Sequence, residues 1–184
     1  MNQEAYLFDI TTLITYSSDI TNIPNLMDKF KEKYNAKDDM YRQMVDEKND
    51  PVLLKLNEKL KGKKMLMTKL ASEKTKEIIN NLGNEDEKKR MEDLLKQMTI
   101  IDDDPSERFK KLNGKMWSLL NINTFGTADK HKITLVTGNV KAASFISNEF
   151  DPEPDMIVHR SRCFVGDKLK KLSPANILFF EKRY

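Results

Sequence analysis

KITLVTGN at residues 132–139, followed at once by VKAASFISNEF at 140–150, decides the fold class. The first stretch is β-rich and apolar enough to be buried, and it ends in the turn signal Gly138-Asn139; the second returns apolar residues at helical spacing. Working outward, the same handover from strand to helix recurs. AYLFDI at 5–10 is a short apolar run read as a strand ending at Asp9, with helix-compatible TTLITYSSD behind it. MLM at 65–67 is a candidate strand ahead of a helix over 71–82, and MIV at 156–158 is a last core strand after the breaker DPEPD. Strands alternating with helices imply an α/β fold in which a mostly parallel central sheet is covered on both faces.

The remaining helices follow from spacing and caps. Pro24 fits a first-turn position, with Ile23, Leu26, Met27, Phe30 and Tyr34 on one face, and Met40, Tyr41, Met44 and Val45 mark a second amphipathic segment closed by EKNDP at 47–51. Leu53, Leu56 and Leu60 mark a third, before the basic turn KGKK at 61–64. Gly83 is a helix stop, and Asn84 with Glu87 forms a capping box for a helix carrying Met91, Leu94, Leu95 and Met98 inward. Asp102, Asp103 and Asp104 precede Pro105, with Glu107 three residues after Asp104, so these carboxylates read as helix caps and Trp117 falls on the basic helix they begin. A further helix is expected to start near Thr127, placing Asp129 in its first turn.

A chain of 184 residues suits a single domain, 1–184, ending in a basic tail from about 159. No run approaches the ~18 apolar residues of a membrane span, and the first residues lack a basic leader, so a cytoplasmic protein without membrane contact is expected. Cys163 is the sole cysteine, which excludes an internal disulfide and a multi-thiolate metal centre. His131 and His159 are too few for a histidine-based metal site, no serine or cysteine nucleophile has a base partner, and no glycine-rich phosphate loop exists, so no cofactor is expected. Charge is distributed unevenly. Residues 1–104 hold 18 Lys/Arg against 21 Asp/Glu, and residues 105–184 hold 14 against 8, which places the positive excess in the C-terminal half. In an open α/β sheet, ligands gather beyond the carboxyl ends of the strands, where Asp9, Asp129 and Asn139 are expected to converge.

DPSERFKKL at 104–112, INTFGTADKHKITLVTGNVKAASF at 122–145 and the opening FDITTLITYSSD resemble the PIN-like domain family. More narrowly they are similar to a group of little-characterised eukaryotic PIN-like proteins that includes the microsporidian dormancy factor found on idle ribosomes. The specific match covers mainly residues 99–165. The resemblance implies a three-layer α/β/α domain. It also implies a site of about four acidic residues around divalent ions, which in PIN nucleases activate water at a phosphodiester. Matched by motif, Asp9 takes the first acidic position and Asp129 the third, but Lys69 falls near the second and Asn139 at the fourth, leaving two carboxylates. Glu73 substitutes for the missing acid if the alignment is one helical turn out. The same two aspartates also read as helix caps.

What the resemblance implies is a non-catalytic factor that occupies the tRNA exit site of an inactive ribosome and competes with tRNA, touching rRNA and ribosomal proteins. Candidate RNA-contacting residues are Lys110, Lys111, Lys115, Lys130, Lys132, Arg160, Arg162, Lys168, Lys170, Lys171, Lys182 and Arg183, with Arg160 and Arg162 expected to project together past the last strand. Phe179, Phe180 and Tyr184 of the tail either pack on the domain or contact a ribosomal protein or an exposed base. A residual metal-dependent ribonuclease and a protein-binding adaptor in RNA metabolism are the other two readings.

Overall fold

The computed structural model describes residues 4–30 and 38–166. Five strands, β1 (Ala5–Phe8), β2 (Lys64–Thr68), β3 (Thr99–Ile101), β4 (Thr134–Thr137) and β5 (Met156–Val158), form one parallel sheet in the order β3-β2-β1-β4-β5. Phe8 lies opposite Val136 on one side, and Leu7 lies opposite Leu66 on the other. The helices are α1 (Ile10–Ser17), α2 (Asp19–Asn22), α3 (Asp39–Asn49), α4 (Val52–Leu60), α5 (Lys69–Leu82), α6 (Glu85–Lys96), α7 (Glu107–Lys110), α8 (Leu119–His131) and α9 (Val140–Glu149).

Alternation along the strands builds two cores. Tyr6, Phe8, Met67 and Val136 face Leu13 of α1, Leu56 of α4, Ile79 of α5 and Met91 of α6. Leu7, Leu66 and Leu135 face the opposite way, onto Phe109, Trp117, Phe125 of α8 and Ile146 of α9. Successive strand residues point to opposite faces, so each four- or five-residue strand is buried twice over, which is why the strands read as unbroken apolar runs. The three-layer α/β/α arrangement expected from the alternation of elements is the one that forms. A smaller third cluster joins Ile20, Leu26, Phe30, Met40, Met44 and Val165.

Four local expectations need correction. Asn25 takes a left-handed conformation (φ 53°), so the helix placed after Pro24 is a single 3-10 turn at Leu26–Lys29, and Tyr34 lies outside the described residues. The helix placed at Pro105 starts at Glu107, with Ser106 as its flanking residue, and lasts one turn. Asp104 is no cap; it pairs with Lys130 and His131. Strand β3, three residues long and half exposed, carries too little pattern to be read in advance. The fourth correction matters most for the site: α8 starts at Leu119, capped by the Ser118 side chain, not near Thr127. Gly126 suggests a break but lies inside α8, because a Cβ there would come within 2.6 Å of Pro105 Cβ and 2.9 Å of Phe109 Cβ. The glycine serves close packing of α7 on α8.

The capping box at Asn84 and Glu87 is present, and Glu87 does more than cap. Fully buried, its carboxylate accepts backbone N–H bonds from Asn84, Asp19 (3.0 Å), Val165 (2.8 Å) and Gly166 (3.0 Å). Asp19, equally buried, accepts from Asn84 Nδ2 at 2.7 Å and pairs with Arg90.

Candidate functional site at the carboxyl edge

Asp9 ends β1 and caps α1, so its carboxylate sits at the carboxyl edge of the sheet, between β1 and β4, where strand order changes direction. It is 5 % exposed. Oδ1 accepts from the Thr12 amide (2.8 Å) and from the Thr11 hydroxyl (2.7 Å); Thr12 Oγ1 lies 2.9 Å away. Oδ2 accepts from the hydroxyls of Thr11 (2.8 Å) and Thr137. Thr11 Oγ1 in turn accepts from the Gly138 amide at 2.7 Å, and Thr137 Oγ1 from the Asn139 amide at 2.9 Å. The result is a hydroxyl net that staples the β1–α1 turn to the β4–α9 turn. Gly138 has to be glycine, since a Cβ would meet His159 and Ser161 at 2.9 Å.

His159, just past β5, closes the net. Its Nε2 lies 2.9 Å from Thr12 Oγ1 and its Nδ1 lies 3.1 Å from the Arg160 carbonyl. Burial pushes the imidazole below its usual range, against the opposing pull of Asp9, so the neutral ring is favoured. With Nδ1–H donating to the carbonyl, Nε2 is left to accept from Thr12. Thr11, Thr12, Thr137 and His159 were missed as site residues; the signal available was Asp9 followed at two and three residues by threonines, an N-cap pattern.

The four vestigial acidic positions do not converge. Asn139 does lie at this edge, capping α9 through the Ala142 amide at 3.2 Å, and Lys69 opens α5 there with its side chain exposed. Asp129 lies at the opposite edge. It belongs to the last turn of α8, five residues before β4 begins, whereas Asp9 stands one residue beyond the β1 position opposite Val136. At a rise of ~3.3 Å per residue, β4 alone separates the two edges by roughly 13 Å. The expected convergence failed because the start of α8 was misplaced by about two turns. Glu73 is exposed on α5. Asp103 uses Oδ2 to accept from the Leu70 amide at 3.0 Å, and its buried Oδ1 has no partner among the described residues.

A divalent ion of PIN type needs several carboxylate oxygens with free lone pairs facing one point. Asp9 is already saturated, Lys69 adds positive charge, and among the described residues no three His, Cys, Asp or Glu side chains gather closely enough to hold an ion. The residues present do not fit the metal.

At the far edge Asp129, 3 % exposed, accepts from Ser106 Oγ (2.6 Å), from Arg108 Nε (2.7 Å) and from Arg108 Nη2. Burial alone would raise this carboxyl, but the Arg108 and Ser106 hydrogen bonds and the charges of Arg108 and Lys132 outweigh it and hold the pKa at about 2. Arg108, itself missed from the candidate list, also stacks over the Phe150 ring at 4.7 Å. Lys130 and Lys132 flank this edge, exposed, with Lys110 on α7 and Lys111 just past it. Lys115 is exposed as well.

Arg160 and Arg162 do not project together. Arg160 is exposed and pairs with Asp46 at 3.1 Å; Arg162 is 2 % exposed and donates from Nε to Glu47 at 2.9 Å. Arg162 is therefore withdrawn as an RNA contact: it is an internal counter-ion, and burial still raises the Glu47 carboxyl in spite of it. Lys168, Lys170, Lys171, Lys182, Arg183 and the aromatic tail lie outside the described residues. Trp117 is core, edge-on to Phe109 and Phe125.

A family model described as "Protein of unknown function (DUF1308)" matches residues 7–171. The chain belongs to the DUF1308 family. The match begins inside β1 and runs past Gly166, so in this chain the family's sequence pattern takes in the sheet from Leu7 onward, the threonine net and the Glu87 cluster. A crystal structure of VapBC2 from Rickettsia felis bound to a DNA fragment from their promoter is similar to this DUF1308 chain, with 18% sequence identity over 85% of this chain and 98% of the other and a TM-score of 0.41. No helix among the described residues is long and apolar enough to cross a membrane.

Proposed function

We propose that this protein is a non-catalytic PIN-like domain that binds RNA, and that its target is the tRNA exit site of inactive ribosomes, where it excludes tRNA by occupancy. The observation that carries the first half is the state of Asp9. The carboxylate that a PIN nuclease would aim at a metal is here buried under the hydroxyls of Thr11 and Thr137 and the Thr12 amide, with Lys69 beside the edge in place of a further acid. Such a group braces a fold and leaves no room for a hard cation to be neutralised. Support for RNA comes from the amino edge, where Arg108, Lys110, Lys111, Lys130 and Lys132 lie on α7, α8 and the turns that follow them. Four of these five cations, all but Lys111, pair with Asp104, Glu107 or Asp129; the three lysines do so at the surface, where such pairs are weak and exchange readily for phosphate. The ribosome and its exit site rest on the sequence similarity over residues 99–165.

The test has two arms. Native protein sedimented with vacant ribosomes is challenged with deacylated tRNA; displacement is expected, and simultaneous binding of both without mutual effect would remove the exit-site reading. Reversal of Lys130 and Lys132 to Glu is expected to weaken the association at least tenfold more than the same change at Lys74 and Lys96, and equal effects would remove the amino edge as the RNA face. Asp103 Oδ1, buried near the carboxyl edge without a partner among the described residues, favours one second reading, a residual metal-dependent ribonuclease using Asp9 and Asp103. Cleavage of single-stranded RNA in Mn²⁺ that disappears in both Asp9→Asn and Asp103→Asn would establish that reading instead.

A further inference from the structure

We propose that the open edge of β5, with the cleft beside it, binds an extended acidic peptide segment of a partner protein by adding it to the sheet as a sixth strand. β5 is the last strand in the order, so one of its edges faces no other strand among the described residues. The Leu135 amide donates to the Asp155 carbonyl and the His159 amide to the Thr137 carbonyl, both at 3.0 Å. Residues 155, 157 and 159 therefore face β4, and the N–H and C=O of Met156 and Val158 point outward, where they meet no partner among the described residues.

Beside this edge lies a cleft of about 280 Å³ between α4 and β5. Its apolar wall is Val52, Leu56, Ile157 and two valines that the fold leaves exposed, Val140 and Val158, at 51 % and 45 %. Lys55, Lys59 and Arg160 ring it, against a single acid, Asp50. Lys55 pairs with Asp50 and Arg160 with Asp46, while Lys59 has no ion pair among the described residues.

These features select the occupant. Main-chain groups in an open row call for another main chain, and alternate side chains of an added strand fall into one flanking pocket, here an apolar one. The charge on the ring calls for carboxylates at the neighbouring positions. A second copy of this chain is disfavoured, because pairing β5 with β5 would bring Lys55, Lys59 and Arg160 against their equivalents; lysines guard open edges against such self-pairing. A nucleic acid would use the charges and the apolar wall but leave the Met156 and Val158 amides unsatisfied. The cleft lies toward the carboxyl end of β5, whereas the RNA face proposed above lies at the amino end of the sheet, and the inference does not depend on that face.

The probe is the blocked peptide acetyl-Glu-Val-Glu-Val-Glu-amide, titrated into ¹⁵N-labelled full-length protein and followed by NMR, which reads millimolar contacts. Saturable shifts are expected at Lys55, Lys59, Ile157 and Val158, with amide exchange at Val158 slowed at least about tenfold once the outward N–H is bonded. The Lys55→Glu/Lys59→Glu protein should bind about tenfold more weakly, the sum of two modest surface charge terms. Peptide N-methylated at alternate residues should lose the effect with the charges unchanged, which separates strand addition from simple attraction. The proposal is overturned if the acidic peptide leaves these residues unmoved, if the lysine counterpart shifts them equally, or if oligouridylate shifts them and the peptide does not.

Discussion

The two ends of the sheet each bury one aspartate, and they neutralise it in different ways. At the carboxyl edge Asp9 is held by hydroxyls and an amide, with no cation bonded to it among the described residues; at the amino edge Asp129 is held by a guanidinium, with a lysine near by. Dipolar partners suit a carboxylate whose work is to cap a helix and tie two turns. An ionic partner suits one that must stay charged while fixing a basic helix, because the guanidinium it holds in place is also part of the surface offered outward. The lesson is that a buried acid in a fold of this kind is not evidence of a metal until its partners have been counted.

Replacing Arg108 by alanine breaks the comparison hardest. Asp129 would remain buried with Ser106 and the exposed Lys132 alone, and a loss of about 2–3 kcal/mol is expected, at the lower end for an orphaned buried charge because Arg108 is partly exposed. Urea denaturation checks it; a loss no larger than that of an ordinary surface arginine would mean the pair is not internal. A sharper test uses acid. Asp129 has its carboxyl at about 2 instead of the usual 3.8, so the charged form is favoured by folding. The contribution, ~2 kcal/mol by linkage, is complete above about pH 4 and disappears as pH falls through 2. The Asp129→Asn protein should show a flatter fall of stability with acid over that window, and an unchanged slope would refute the assignment. The smallest effect is expected at the other end. Asparagine ranks with aspartate as an N-cap and its Oδ1 can keep the Thr12 amide, while its Nδ2 cannot accept and the Thr137 hydroxyl must turn to donate elsewhere, so Asp9→Asn should cost about 1 kcal/mol. A loss equal to that of Arg108→Ala in the same urea series would show that Asp9 carries a charge the structure needs.

The sheet and its two covered faces were legible because burial on both sides forces strands into unbroken apolar runs, as in AYLF and TLVT, and because the caps at Asn84 and Gly83 are chemical signals that act locally. The site was only half legible. Asp9 and Asn139 were both placed at the carboxyl edge, since they follow the ends of strong strands by one and two residues. Asp129 was not, because Gly126 looks like a helix break in sequence and becomes a packing contact only once Pro105 and Phe109 are pressed against it. Arg162 failed for the opposite reason: alternation with Arg160 past β5 implied that both would project outward together, but Glu47, its buried partner, stands 115 residues away and nothing local announces it. Long-range ion pairs leave no trace in a single sequence.

Glu87 carries a consequence for the order in which the molecule can be completed. Its carboxylate is satisfied by amides 68 residues upstream and 78 and 79 residues downstream, so no fragment lacking either segment can bury it without an uncompensated charge. A nascent chain that has emerged only through β4 can pair strands β1, β2 and β4 and still hold this side chain in water. Burial of the carboxylate with all its amides requires Val165 and Gly166, and it joins the turn after α1, the start of α6 and the stretch beyond β5 at one side chain. Loosening any one of these three stretches strips the buried carboxylate of amide partners, so they are expected to unfold together.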